Sequence, residues 1–273
     1  MNHRFFRKWR KNPTSWIGLI LVLLVVVMGM FAEWIAPFDP LKQDLENALT
    51  GASLEHWMGT DYNGRDIFSR IVFGARISIT VGIGASLISL ILGTFIGLIS
   101  GFFGGVLERI LMRFTDIVFG FPALLFMIAL TAAFPPSLLL TFLAIGAVSW
   151  PPTARLIRAH VLKIRESQFI TAEIALGIPT WKILLKHVIP NTLSPLIVIF
   201  TMGMANAVLA EASLSFLGLG AQPPLPSWGA MISTGREFLY HAPHISLWPG
   251  LAIATAVFGF NLLGDSLRDA QEI

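Results

Sequence analysis

The chain has 273 residues, of which 55% are hydrophobic and only 13% are charged, and its formal net charge at pH 7 is +3. These proportions lie outside the range of soluble globular domains and indicate an integral membrane protein. Cysteine is absent, which excludes a disulfide framework and any cysteine-based metal site or nucleophile. So small a charge excess indicates loop orientation in a membrane rather than nucleic-acid binding.

Five intervals without charged residues are long enough to contain membrane-spanning helices, since roughly 30 Å of hydrocarbon requires about 20 apolar residues. The third interval is too long for one helix and contains Pro135 and Pro136 near its middle. Because proline lacks an amide donor and restricts the preceding residue, this pair predicts a turn between two helices. Six transmembrane helices are therefore predicted. The five intervals are residues 16–32, 77–107, 117–154, 188–210 and 238–264.

The first interval follows a basic segment, as the core of a signal peptide would. Its apolar stretch is longer than a typical signal-peptide core and no small-residue cleavage site follows, so we expect a retained helix with a cytoplasmic amino terminus. Six crossings return the carboxyl terminus to the cytoplasm, and most of the 19 Lys and Arg residues then lie on the cytoplasmic side, as the positive-inside rule requires. The basic residues before the first helix are Arg4, Arg7, Lys8, Arg10 and Lys11.

These expectations divide the chain into five segments. They are a cytoplasmic amino tail (1–15), a first transmembrane helix (16–36), an extracytoplasmic loop (37–76), a five-helix core (77–264) and a cytoplasmic carboxyl tail (265–273). The core includes a long, basic cytoplasmic loop, residues 153–189.

The pattern of Gly and Pro predicts the shape of this loop. Residues 163–176 contain neither, whereas Gly177 suits the left-handed position after a helix and Pro179 suits the first turn of the next one. Pro190 is expected to restart the chain at the membrane. The loop is therefore predicted to hold two short helices joined by a sharp bend.

The first of these short helices offers a docking face for a cytoplasmic partner. Phe169 and Ile170 are expected to be exposed there, beside Gln168 and Thr171. The alternative is a basic loop that only fixes topology and touches lipid headgroups.

Four residues of the loop carry a recognisable pattern. Ala172, Gly177, His187 and Pro190 follow the spacing A-x-x-x-x-G, nine residues, then H-x-x-P. This pattern resembles the cytoplasmic loop signature of binding-protein-dependent ABC importer permeases. Residues 56–70, HWMGTDYNGRDIFSR, resemble the H-x-x-G-T-D-x-x-G-R-D-x-x-S-R block of the second permease subunit of dipeptide, oligopeptide and nickel importers.

Two later stretches extend the likeness to the end of the chain, namely SFLGLGAQPP at 215–224 and FNLLGDSLRD at 260–269. The Gly, Asp and Arg residues of these blocks are interpreted as structural, forming turns and helix caps, rather than as a metal or phosphate site. These residues are Gly59, Asp61, Gly64, Arg65, Asp66, Gly218, Gly220 and Asp265.

The resemblance implies an all-α type I ABC importer permease in a bacterial or archaeal plasma (inner) membrane. Such a subunit forms the pore for di- or oligopeptides, or alternatively for nickel or a metal chelate, and has no cofactor of its own. The implied partners are a homologous second permease, two cytoplasmic ATPases and an extracytoplasmic solute-binding protein. The implied ATPase-coupling residues are Phe169, Thr171, Ala172, Glu173, Gly177, His187 and Pro190.

One position departs from the family pattern. The loop signature usually begins with Glu six residues before the Gly, and this position is Thr171, while the nearest acid is Glu173. Two helical residues rotate a side chain by about 200°, so Glu173 does not replace the missing carboxylate on the same face. The usual acidic contact to the ATPase is therefore not expected at its usual place.

Few ionisable residues are expected at membrane depth. Arg113 and Asp116 are predicted to pair with each other, and Glu211 lies near the outer end of the fifth helix. This scarcity argues against an ion-driven secondary transporter. The sequence contains no G-x-x-x-x-G-K-[ST] motif and no catalytic constellation, so ATP hydrolysis is expected on partner subunits. Gly93 and Gly97 form a G-x-x-x-G pair that would allow close helix packing.

Overall fold

The computed structural model describes residues 3–271 and, of its terminal segments, leaves the side chains of His3, Arg4 and Phe6 undescribed. The ends of both predicted tails and the Arg4 side chain therefore lie outside the described part of the protein. The helices are α1 (His3–Lys11), α2 (Pro13–Met30), α3 (Ala32–Ile35), α4 (Ile67–Phe103), α5 (Gly105–Gly120), α6 (Ala123–Ala132), α7 (Leu138–Ser149), α8 (Pro151–Arg165), α9 (Gln168–Ala175), α10 (Thr180–Ile183), α11 (Ile189–Phe216), α12 (Trp228–Gly235) and α13 (His244–Gln271).

Apolar helices long enough to cross a membrane dominate the fold. Within residues 3–271 there are four, namely α2, α4, the continuous segment Thr180–Phe216 and α13. Two further pairs of helices, α5 with α6 and α7 with α8, are together long and apolar enough to cross a membrane, but they are bent by 84° and 43°. The predicted all-helical membrane fold is confirmed, and six spans result when each bent pair is counted as one.

Several breaks between helices lie at prolines, whereas the start of α4 does not. The chain turns at Pro135 and Pro136, between α6 and α7, as the sequence predicts, and the bends at Pro122 and Pro151 add two breaks that were not predicted. By contrast, α4 begins at Ile67 rather than at the predicted residue 77. Arg70 and Arg76 fit inside this helix because each is held by a backbone carbonyl and an acidic side chain.

Glycines on one face of α4 allow α8 to pack against its backbone. A Cβ at Gly93 would lie 2.5 Å from the Cβ of Thr153, and one at Gly97 would lie 2.7 Å from the carbonyl oxygen of Ala154. A Cβ at Gly101 would lie 2.9 Å from the carbonyl oxygen of Arg158. The two helices therefore run parallel and in close contact, as the G-x-x-x-G pair predicts.

The described ends of the chain and α9 lie at the same end of the helix bundle. Gln271 Nε2 donates a 2.8 Å hydrogen bond to the carbonyl oxygen of Ser194, near the start of α11. Arg165, just before α9, lies against Gly104 at the end of α4. The opposite end contains residues 36–66 and α12, where Trp228 Nε1 donates a 3.0 Å hydrogen bond to the carbonyl oxygen of Ile71.

Candidate functional site

The first candidate element is the short helix α9 and the turn that ends it. Gly177 has a φ of +73°, the left-handed conformation that the sequence predicts. The Gly177 amide donates to the carbonyl oxygen of Ile174 at 3.0 Å, and the Ile178 amide donates to the carbonyl oxygen of Glu173 at 3.1 Å. This pair of bonds is a Schellman motif, which terminates a helix and redirects the chain. The bend after α9 is therefore fixed by backbone hydrogen bonds.

The second predicted short helix is not separate from the membrane span. Thr180–Phe216 is one continuous helical segment, and Leu184–Val188 forms a π-helical turn within it. The prediction that Pro190 restarts the chain is wrong. The wider turn, in which the amide of Ile189 donates to the carbonyl oxygen of Leu184, lets a residue without an amide donor follow without breaking the helix.

The exposed surface of α9 differs from the predicted docking face. Phe169 is 49% exposed, but Ile170 is fully buried in a cluster with Ile183 and Val188. The prediction of an exposed Ile170 is therefore wrong, because this side of α9 packs onto the bundle. Exposed apolar side chains that the sequence reasoning missed surround the bend: Ile174, Leu176, Trp181 and Leu185.

The acidic residue of α9 contacts a histidine of the same subunit. Glu173 Oε1 lies 2.8 Å from His187 Nε2, and the ring of Phe169 meets the His187 ring edge-on at a centroid distance of 5.9 Å. Thr171 is exposed, and its hydroxyl donates to the carbonyl oxygen of Ser167. Ala172 is exposed beside it. Among the coupling residues named from the sequence, His187 thus contacts both Phe169 and Glu173.

A second candidate element is a cavity of about 790 Å³ between α4, the bent pairs and α11. Its wall is mainly apolar, and none of its lining residues is Asp, Glu, Lys, Arg or His. Its polar side chains are Ser86, Ser89, Ser149, Thr153, Asn206 and Ser213. Such a wall can accommodate a solute of small-peptide size and can form neutral hydrogen bonds with it.

Ion pairs join α5 to α8 next to this cavity. Asp116 pairs with Arg155 at 2.7 Å, not with Arg113, so the predicted pair within one helix is wrong. The neighbouring α8 brings Arg155 closer, and its guanidinium also lies 4.2 Å from the centre of the Phe119 ring. One helical turn nearer the end of the bundle, Arg158 pairs with Glu108.

Glu211 is the fully buried acid of α11. The hydroxyl of Ser215 donates to Glu211 Oε1 at 2.7 Å, and that of Ser78 on α4 lies 3.5 Å from Oε2. Ser215 also accepts the amide of Ala221. Glu211 therefore links α4 and α11 to the segment that follows α11.

The GTDxxGRD run forms a tight turn built around Asp61. Asp61 Oδ1 accepts the amides of Asn63 and Arg65 at 2.9 and 3.0 Å, and Oδ2 accepts Arg65 Nε at 2.7 Å. Gly64, with a φ of +71°, lies so close to Asp44 that a Cβ would be 1.6 Å from its carbonyl oxygen. Only glycine fits at this position.

Asp66 caps the helix that follows this turn. Its Oδ2 accepts the amide of Ser69 at 2.7 Å, and its Oδ1 lies 2.9 Å from His56 Nδ1. Gly59 has a φ of +79° and lies against His244 of α13. These contacts agree with the interpretation of this block as turns and a cap.

The remaining motif residues lie apart from this turn. Gly218 has a φ of +79° after the end of α11, and a Cβ at Gly220 would lie 2.1 Å from Ser215 Oγ. Asp265 is exposed on α13, near the opposite end of the bundle. The structure therefore places Asp265 far from the other motif residues.

Apolar spans, an uncharged cavity between them and a short helix held across a bend at one end define the transmembrane subunit of an ABC importer. Residues 93–272 match the family described as "Binding-protein-dependent transport system inner membrane component", and residues 2–52 match the "N-terminal TM domain of oligopeptide transport permease C". The chain belongs to the family of binding-protein-dependent transport system inner membrane components.

Relatives extend over nearly the whole chain. The "Dipeptide transport system permease protein DppC" of Alkalihalophilus pseudofirmus is 43% identical over 267 residues, which cover 98% of this chain and 88% of that protein. The "Glutathione transport system permease protein GsiD" of Escherichia coli O157:H7 is 42% identical, with coverage of 99% and 89%.

A solved structure of the MetNI methionine ABC transporter in inward-facing conformations has the same fold, with a TM-score of 0.60. The match covers 76% of this chain and 98% of that chain at 17% identity. It supports the type I importer fold alone. ABC importer permeases work with ATPase and solute-binding protein partners, and the chain is accordingly a membrane-spanning subunit of a bacterial inner-membrane importer.

Proposed function

We propose that this subunit forms half of the pore through which an ATP-driven importer takes up di- and oligopeptides. The exposed apolar surface around the α9 bend supports this proposal. It lies at one end of the continuous helix Thr180–Phe216, and the same helix lines the cavity. The names of the two relatives, dipeptide and glutathione permeases, support a short peptide as the solute. Nickel or a metal chelate is the alternative.

The proposed assembly places this chain beside a homologous permease, with two ATPases on the cytoplasmic side and a solute-binding protein on the other. Both termini and α9 then lie in the cytoplasm. The ATPases bind α9 through Phe169, Leu176 and their exposed apolar neighbours, since exposed apolar patches mark protein interfaces.

In the proposed mechanism the cavity opens alternately to the two sides of the membrane. Closure of the ATPases displaces α9, and the continuous helix Thr180–Phe216 carries this displacement to Asn206 and Ser213 in the cavity wall. ATP can drive the switch because the ATPases bind the two states of the permease with different affinity. Solute enters in one state and leaves in the other.

Reconstitution of the complete importer tests this function. Proteoliposomes are prepared with both permeases, the ATPases and the solute-binding protein. They should accumulate labelled dipeptide only when ATP is present on the side of the membrane where α9 lies. A parallel assay with radioactive nickel tests the alternative solute. Uptake by this chain alone, driven by an ion gradient, would contradict the proposal.

Cysteine labelling tests the orientation, because the chain contains no Cys. Gln168→Cys on α9 and Ala52→Cys in the loop after α3 are both exposed positions. A membrane-impermeant maleimide should label Ala52→Cys in intact cells and Gln168→Cys only in inverted vesicles. The reverse pattern would place α9 out of reach of any cytoplasmic ATPase.

A further inference from the structure

The side chains of Glu173 and His187 meet across the bend that follows α9. Their contact is 2.8 Å long, and only 22% of the Glu173 side chain and 25% of the His187 side chain are exposed. The residues lie on either side of the Schellman motif, Glu173 on α9 and His187 in the π-helical turn before α11. The side-chain contact therefore connects the two segments that flank the bend, in addition to the backbone that joins them.

His187 is held from several directions. The Phe169 ring packs edge-on against its imidazole, and its carbonyl oxygen accepts Asn191 Nδ2 at 2.7 Å. Ile170 of α9 and Ile183 of α10, which lie on opposite sides of the bend in the chain, belong to one buried cluster. The imidazole thus contacts two side chains of α9, Phe169 and Glu173, and can serve as an anchor for this helix.

The position of this acid also bears on the departure from the family pattern. Thr171 stands where the family usually has Glu, and its hydroxyl donates to the carbonyl oxygen of Ser167 in the preceding turn. Glu173 directs a carboxylate oxygen inward to His187 instead of toward solvent. The acid of this α9 is therefore engaged within the subunit.

We propose that Glu173 and His187 are a positioning pair that holds α9 rigidly on the base of α11, so that both move as one body when the ATPases act. The inference rests on the proposed function, since it assumes that α9 is the ATPase contact. A helix of this length is marginal by itself and needs tertiary contacts to keep its place. Without the pair, part of the ATPase displacement would bend the turn instead of tilting α11.

A double-mutant cycle on the assembled importer tests the pair. Glu173→Ala and His187→Ala should each lower solute-stimulated ATP turnover and uptake by about fivefold, the usual size of the effect when one partly buried polar contact is lost. The double variant should be no worse than either single variant, because the two residues act through one contact. Glu173→Gln, which can still bond to the imidazole, should retain activity near that of the wild type.

Glu166→Ala is the matched control, since Glu166 is an exposed acid of the same loop outside the ion pairs found among residues 3–271. It should leave ATP turnover unchanged. Additive losses at Glu173 and His187, or an unaffected Glu173→Ala variant, would overturn the positioning role.

Leu176→Asp separates this inference from the proposed function, because Leu176 is 79% exposed and lies outside the pair. Normal ATPase binding and uptake in this variant would contradict ATPase docking at α9. Loss of ATPase binding, together with additive effects at Glu173 and His187, would contradict the positioning pair alone.

A cross-link gives a second measurement that does not depend on the alanine variants. The double variant E173C/H187C in this cysteine-free chain should lose activity about fivefold through the missing contact. Joining the two thiols with a short bifunctional reagent should restore it, because the link replaces the pair. A cross-linked subunit that stays slow or stops would show that the two residues must separate during transport.

Discussion

The backbone of Gly93 on α4 touches the side chain of Thr153 on α8, and a Cβ at position 93 would lie 2.5 Å from the Thr153 Cβ. Thr153 also lines the cavity. The close packing of these two parallel helices therefore sets the position of one part of the cavity wall.

Gly93→Ala should destabilise the subunit by about 2 kcal/mol, the usual cost of overpacking a tight contact. Gly250→Ala on α13 is the control, because a Cβ at that position would have no atom of the described residues within 4 Å other than those of its own neighbours and helix backbone. The measurement is the thermal unfolding midpoint of both variants in detergent. Equal midpoints would contradict close contact between α4 and α8.

Gly177→Val should abolish uptake while the protein still inserts into the membrane. The left-handed φ of +73° costs an L-residue roughly 1–2 kcal/mol, and more for a β-branched side chain, so the turn after α9 would open. Gly177→Asn is the matched control, since Asn tolerates this conformation, and it should retain most of the uptake. The assay compares uptake at equal amounts of protein in the membrane, and full transport by the Val variant would refute the role of the bend.

Asp61→Ala should destabilise the subunit strongly. The Asp61 carboxylate is buried and contacts Arg65 at 2.7 Å, with Arg70 at 3.6 Å. Its removal leaves two nearly buried guanidinium groups without this acid, a change that costs about 3 kcal/mol or more. Asp39→Ala removes an exposed acid from the same loop and should have little effect on the unfolding midpoint. A similar loss in both variants would argue against the Asp61 turn as a stabilising unit.

Glu211→Ala should cost about 2 kcal/mol, because Ser215 would lose its buried hydrogen-bond partner and a cavity would remain. Glu211→Gln keeps an acceptor oxygen for the Ser215 hydroxyl and should lie much closer to the wild type. The comparison again uses unfolding midpoints in detergent. If the Gln variant were as unstable as the Ala variant, the negative charge rather than the hydrogen bond would hold this region together.

Local rules predicted the features that depend on one or two residues. The left-handed conformation of Gly177, the turn at Pro135 and Pro136, and the close packing at Gly93 follow from the steric properties of Gly and Pro. The membrane class follows from composition. These properties are encoded within a few positions and do not need knowledge of the neighbouring helices.

Features that depend on packing between distant segments could not be predicted in the same way. Ile170 is buried because α9 lies on Ile183, and Asp116 pairs with Arg155 because α8 runs beside α5. The continuous helix through Pro190 depends on a π-helical turn that spacing alone does not reveal. A sequence-level signal for the last case was present, since no glycine interrupts residues 180–189 before the proline.

The uncharged wall of the cavity determines how a peptide would travel through this subunit. A zwitterionic peptide finds no counter-ion among the lining side chains, and removal of its charged termini from water without a partner would be costly. A peptide that entered this cavity would therefore need water, or groups of another subunit, around its charged termini. A tight, dehydrated fit would require charges that this wall does not supply.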